Sequence, residues 1–286
     1  MMVRTWFAPL LVLVLGAVGF TTATQQLGLK ARPQVSSELL VVPPAFVQVV
    51  MAGGDRYLAA NVAVVRSLLN PLVNDGYERF RGQAKAQLDA SWLNPRHEDN
   101  YYIAAALLPW AGHVQAGEQI LQRAADGRPF DMLPPFFLAF DHFYFDQNPA
   151  LGAQWMYVAA GRAESEENRT SLSRIASRWA ERGSNAQEAL KMVQAMEAQA
   201  RGTALKQYLG QRAERLRVLV PLQEAAIAYM RKRGVPPVHL DDLIKAGLLA
   251  RIPRDPQGLG FELDAQGMPQ LKHPPLQGLP PLVKNK

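Results

Sequence analysis

No cysteine occurs among the 286 residues. That excludes disulfides, Cys-ligated zinc, iron–sulfur clusters and thiol nucleophiles, and it leaves the redox compartment open. The phosphate-cradling patterns Gly-x-x-x-x-Gly-Lys-Ser/Thr and Gly-x-Gly-x-x-Gly are missing as well, so no nucleotide is expected. Without a Gly-x-Ser-x-Gly elbow there is no signature of a serine hydrolase. Charged residues make up only 20% of the chain, and none stands between Arg4 and Lys30. The 48% hydrophobic content rules out a wholly disordered chain. Net charge is +6. An excess of that modest size fits an anionic membrane surface, an acidic partner or no particular role.

The charge-free N-terminus has two readings. Trp6 to Ala23 just reaches the roughly 17–25 residues of a spanning helix, with Trp6 and Phe7 placed as interfacial aromatics. The alternative is a cleaved signal peptide, with Leu10–Phe20 as its apolar stretch and Thr21-Thr22-Ala23 before the cut. Both readings export the rest of the chain. They place it on the outer side of a bacterial inner membrane, single-pass, or free in the periplasm after cleavage. No nucleic-acid partner is expected there.

Beyond the anchor (residues 1–23) and a polar linker (24–44), helical periodicity runs from about Ala45 to Arg233. Tyr57, Leu58, Val62, Val65 and Leu68 recur at helical spacing. Gly53-Gly54 breaks the preceding helix, Asp55 is a candidate N-cap, and Asn70-Pro71 ends the run. Another helix covers about Tyr77–Leu93. Helices then come in pairs: His97–Trp110 with Val114–Asp126, Leu133–Asp146 with Ala150–Gly161, Thr170–Arg182 with Asn185–Ala200. Tyr102 to Phe137 is 35 residues and Ala153 to Ala186 is 33. A helix–turn–helix period near 34 is tetratricopeptide spacing. Small residues (Ala116, Gly117, Gly152, Ala153, Ala186, Ala189) open each second helix, as close helix packing requires. A long helix (201–234) contains Pro221, which predicts a kink or split. Residues 235–272 read as a small α/β tail: a short helix over Leu240–Ala246, a turn at Asp255-Pro256-Gln257-Gly258, and a hairpin of Phe261–Leu263 with Met268–Leu271. Residues 273–286 are Pro-rich and expected to be disordered.

Leu93-Asn94-Pro95 leading into Tyr101-Tyr102, then Ala116-Gly117 before Ile120-Leu121, resembles the repeats of bacterial cell-envelope tetratricopeptide proteins. In the tail, Pro236-Pro237, Leu240-Asp241-Asp242-Leu243, Ala246-Gly247-Leu248-Leu249, Ile252-Pro253 and Asp255-Pro256-Gln257-Gly258 look like a segment found in two settings. One is the C-terminal end of membrane-anchored tetratricopeptide proteins, the other the periplasmic domain of type II secretion pseudopilins. The pseudopilin N-terminal signature is absent. The resemblance implies an all-α, tetratricopeptide-like solenoid of helical hairpins (45–200) with an N-terminal transmembrane helix and the α/β tail. It also implies a role in envelope, pilus or secretion-system assembly. It supplies no catalytic residues.

Two constellations stand out. Residues 101–157 hold 12 of the chain's 24 aromatics. Repeat core accounts for much of this. A concave surface that receives a protein partner would use the rest, with Tyr101, Tyr102, Phe137, Phe140, Tyr144 and Trp155 as its candidate residues and Tyr101, Tyr144 and Trp155 as exposed anchors. His142 and Asp146, four apart and next to Asp141, share a helix face. A metal would need a third ligand, and none stands nearby at ligand spacing, so neither metal nor cofactor is assigned. In the tail Pro253, Asp255, Pro256 and Gly258 form the turn motif. The favoured function is a membrane-tethered periplasmic scaffold that is not an enzyme. The alternative is an exported glycan- or peptide-processing enzyme with its site in the aromatic groove.

Overall fold

A computed structural model of the chain describes residues 7–29, 42–68 and 76–273. Among these residues the chain is mostly helical, with twelve helices and one two-stranded sheet. The expected stop at Asn70-Pro71 and the disordered tail, apart from His273, lie outside the described residues.

Helix α1 (Phe7–Leu29) carries no charge. Its apolar run ends at Phe20, after which Thr21, Thr22, Thr24, Gln25 and Gln26 follow. At about 1.5 Å per residue the stretch from Phe7 to Phe20 is about 21 Å long, short of a hydrocarbon core of about 30 Å. Among the described residues no helix is long and apolar enough to cross a membrane. Every side chain from Leu13 to Gln25 is exposed.

Helices α2 (Ala45–Met51), α3 (Arg56–Leu68) and α4 (Gly76–Leu93) follow. Gly53 and Gly54 take positive φ between α2 and α3. Asp55 Oδ1 accepts from the N–H groups of Tyr57 (2.8 Å) and Leu58 (3.2 Å), as an N-cap does. The orientation of α3 overturns its apolar pattern. Ala59, Ala60, Ala63, Val64 and Ser67 are buried, while Tyr57, Leu58, Val62, Val65 and Leu68 are exposed. The facing helix presents Ala86 and Ala90, both buried, and small residues on both sides allow a closer approach than the bulky face would. Phe46, Val50, Met51 and Trp92 add to the exposed apolar surface here.

The middle is α5 (Glu98–Leu107), α6 (Val114–Gly127), α7 (Leu133–Tyr144), α8 (Pro149–Arg162), α9 (Glu166–Ala180) and α10 (Ala186–Gln199). Consecutive helices pack on one another, but not evenly. α7 with α8, α8 with α9, and α10 with the next helix are the extensive contacts, and α9 meets α10 only lightly. The third expected pair is thus divided between its neighbours. Helix α9 also starts earlier than Thr170: Ser165 caps it by accepting from Asn168 N–H, and Glu166 and Glu167 fall in its first turn. The small residues serve as expected. A Cβ on Gly152 would sit 3.0 Å from both the Ala139 carbonyl oxygen and Phe143 Cβ, so α8 lies directly against α7.

Helix α11 (Thr203–Arg233) runs through Pro221 without a break, contrary to the expected split. Leu219 and Leu222 on either side are fully buried, and packing holds the segment where one backbone bond is missing. Gly234 ends it in the left-handed conformation (φ 76). One core links α8, α9, α10 and α11 through Met156, Val193, Leu209, Leu216 and Leu219, and it includes Phe261 and Leu271 of the tail. Full burial of each such side chain contributes roughly 1.5–3 kcal/mol. The tail itself holds α12 (Asp241–Lys245) and the antiparallel strands β1 (Phe261–Leu263) and β2 (Pro269–Leu271), paired Phe261 to Leu271. The hairpin and the short helix are where the sequence places them.

Candidate functional site

The aromatic cluster divides on folding. Tyr101 is 1% exposed. It is therefore core and not an exposed anchor. Its hydroxyl donates to Asp131 (2.8 Å), which removes the cost of burying it. Burial, followed by that carboxylate, raises the Tyr101 pKa. Tyr102 stacks on Tyr101 at 4.7 Å, edges onto Phe137 at 5.9 Å, and is 37% exposed. Trp155 is half-buried against two core clusters. Phe140 and Tyr144 stack nearly parallel at 5.4 Å, and Trp110 meets Tyr144 at 5.6 Å and Phe145 at 5.0 Å. The most exposed aromatics of the region are Trp110 (59%) and Phe130 (69%). Both sit in loops beside helix ends, where helical periodicity gives no signal.

The same turn of α7 that carries Phe140 and Tyr144 carries Asp141 and His142. The helix ends in a turn with Gln147 at φ 54, and Asn148 N–H donates back to the His142 carbonyl (2.8 Å). Asn148 then caps α8 by accepting from Leu151 N–H (3.1 Å). This turn brings Asp146 back beside the imidazole: His142 Nδ1 lies 2.7 Å from Asp146 Oδ2. Glu118, from the buried side of α6, places Oε1 2.9 Å from the same nitrogen. The donor atoms of Glu118, His142 and Asp146 all lie within 4.8 Å of one another. This corrects the expectation that no third ligand stands near His142. The ligand comes from another helix, so spacing along the chain could not reveal it.

Asp141 adds a third carboxylate. It is 2% exposed, and its Oδ2 has no hydrogen-bond partner. Burial, reinforced by Glu118 and Asp146 against the opposing pull of His142, pushes its carboxyl up to about 8. Burial likewise raises Glu118. For His142 burial acts downward, but the two carboxylates beside its Nδ1, Glu118 and Asp146, outweigh it and the net shift is up.

The tail motif is a structural anchor. Arg215, fully buried in α11, grips Asp255 with Nε and Nη2 at 3.0 Å each and donates from Nη2 to the Lys272 carbonyl (2.6 Å). Asp255 also accepts from the N–H groups of Gln257, Leu259 and Gly260 (3.0, 3.1 and 2.9 Å). Burial pushes its carboxyl up, yet Arg215 and these backbone donors prevail and lower it. Gly258 takes φ 76, the left-handed conformation that closes the turn. Pro253 and Pro256 flank the aspartate and border the same turn.

A cavity of about 160 Å³ opens between α8, α9, α10 and α11, lined by Tyr157, Glu166, Arg169, Ser173, Gln199 and Leu205 among others; none of the acidic-cluster residues borders it. Among known proteins, no family model, no curated protein and no solved structure matches the chain.

Proposed function

We propose that the protein is a membrane-tethered scaffold of tetratricopeptide-like helical hairpins. It holds a protein partner against the aromatic surface of α5–α7, on the periplasmic side of a bacterial inner membrane. The observation that carries this reading is α1. Its side chains from Leu13 to Gln25 are all exposed and no charge interrupts it. Its apolar part, Leu13 to Phe20, is costly to leave in water; too short to span a bilayer, it would serve as an anchor seated in the membrane. The polar end of the helix is prepared for one. Thr21, Thr22 and Thr24 each donate their hydroxyl to a carbonyl one turn back, at 2.9, 2.8 and 2.9 Å, which lowers the cost of placing them in lipid. Trp6 next to this helix supplies an interfacial aromatic. A tether concentrates the aromatic surface near membrane-bound partners. The period near 34 residues and the tail segment support a role in envelope, pilus or secretion-system assembly.

Fractionation of cells carrying the full chain and a chain lacking residues 1–29 tests the tether. The full chain should stay in the membrane pellet through alkaline extraction, and the shortened chain should be released. Photo-crosslinking residues at Trp110, Phe130 and Tyr102 should capture one discrete partner. The same residue at Tyr101, inside the core, should not. A full chain that washes off membranes, or equal labelling at all four positions, overturns the reading.

One observation favours the second reading, an exported processing enzyme. Asp141 is a carboxylic acid held protonated to about pH 8 on the helix that carries Phe140 and Tyr144. Hydrolysis of a glycan or peptide substrate that Asp141→Asn abolishes without loss of folding would establish it.

A further inference from the structure

We propose that Glu118, His142 and Asp146 form a binding site for one borderline first-row divalent cation of the Zn²⁺ or Mn²⁺ class, with Asp141 as its buried outer carboxylate. The argument starts from a mismatch. Nδ1 of His142 faces two carboxylate oxygens, at 2.7 and 2.9 Å. One N–H points at only one of them. The bond goes to Asp146, and Glu118 Oε1 is left buried without a hydrogen-bond partner. Two acceptor oxygens and a ring nitrogen crowded together are poorly served by one proton. They suit a cation, which all three approach with lone pairs.

The spacing agrees. The two oxygens stand 2.7 and 2.9 Å from the nitrogen, and all three donor atoms lie within 4.8 Å of one another, close enough for one ion with bonds of about 2.1 Å to reach all of them. Charge agrees too. Two carboxylates and a neutral imidazole sum to −2, which a divalent ion cancels. The imidazole selects against Mg²⁺ and Ca²⁺ and the carboxylates against soft ions, leaving the Zn²⁺ and Mn²⁺ class.

Asp141 is the independent indication. It is buried, its Oδ2 is unpartnered, and it stands next to His142 on α7 and against Gly117, the neighbour of Glu118, on α6. A buried polar atom without a partner is costly, and a cation beside it supplies one. Gly117 lets this side of α6 approach closely: a Cβ there would stand 3.2 Å from Pro109 and 3.7 Å from Asp141 Oδ2. Asp146, part-exposed at the end of α7, leaves the remaining positions to water.

The test is metal uptake by the full chain in detergent after removal of metals by a chelator. Titration with Zn²⁺ and with Mn²⁺ should show saturable one-to-one uptake that excess Mg²⁺ does not displace. Co²⁺ should give visible absorption bands of a bound ion. Asp141→Asn should weaken uptake about 10–100-fold, as loss of an outer-shell partner does. Glu118→Gln and Asp146→Asn should weaken it further. Asp146 lies at the part-exposed helix end, so its variant keeps the fold and circular dichroism checks this. No saturable uptake by the unmodified protein, or uptake unchanged in Asp146→Asn, overturns the proposal.

Discussion

Two buried polar clusters sit on the same helical framework, and they treat their buried aspartates differently. Around Arg215, a guanidinium fork meets Asp255, and the remaining oxygens are served by three backbone N–H groups. Around His142, the carboxylates of Glu118 and Asp146 share one imidazole nitrogen, and Glu118 Oε1 and the neighbouring Asp141 Oδ2 are left without donors. The first lowers the pKa of its aspartate and the second raises it. Burial acts upward on both, so the difference lies in what the neighbours supply. Unpartnered atoms remain in both clusters, since Arg215 Nη1, Arg212 Nε and Glu181 Oε1 also lack hydrogen bonds; what separates the two is the cation and backbone donors that reach Asp255 and do not reach Asp141.

The hardest way to break this contrast is to remove the cation from the first cluster. Arg215→Ala leaves Asp255 buried and unpaired, at a cost of about 3–5 kcal/mol. Urea unfolding should show that loss. Limited proteolysis should cut first within residues 235–273, because Asp255 and the Lys272 carbonyl hold the tail to α11. A variant with wild-type stability would mean the tail is held by its other contacts, Phe261 and Leu271 in the core, Leu243 against Ala225 and Ala226, and the Gln223 to Pro269 hydrogen bond.

A smaller effect is expected at the support of the second cluster. Gly152→Ala pushes a methyl to 3.0 Å from the Ala139 carbonyl oxygen and Phe143 Cβ, displacing α7 and with it Asp141 and His142. Overpacking of this kind costs roughly 1–3 kcal/mol. Thermal unfolding should register it, while the tail's protease resistance should be unchanged.

The two clusters should also respond to pH in opposite directions. His273, beside the tail cluster, is pushed down to about 4 by burial and then by Arg182 and Arg215. Its neutral form belongs to the fold, so the unfolded chain binds the extra proton between pH 6.5 and 4. Stability of the tail should fall as pH falls through that window, read by proteolysis across the range. Asp141 is the reverse. Its neutral form belongs to the fold, so in chelator stability should fall as pH rises from about 4 to about 8, by at most about 1.4 kcal/mol per unit. Asp141→Asn should flatten that slope and, near pH 8, be neutral to slightly stabilising. A destabilised variant with the slope intact would place the titration elsewhere.

Much of the framework was legible along the chain. Gly53-Gly54, Asp55, Gly234 and Gly267 mark ends and turns because φ and capping are local properties. The small residues Gly117, Gly152 and Ala186 announce close packing because any Cβ there has to be accommodated. Facing was less legible. Helix α3 turns its alanines inward and its Tyr57, Val62 and Val65 outward, since the alanines of α4 accept only a thin partner. Tyr101, expected as an exposed anchor, sinks into the core, while Trp110, for which no role was expected, stands exposed at a loop.

The sequence alone determined the turns at Gly53-Gly54 and Gly234 that separate helices, that the N-terminal helix carries no charge, and that Asp255 closes a turn. These follow from backbone preferences and patterns spanning a few residues. Only the tertiary structure decided that Glu118 stands against His142 and that Arg215 reaches Asp255. Both contacts join residues from separate elements, and the charge each group meets depends on which helices touch.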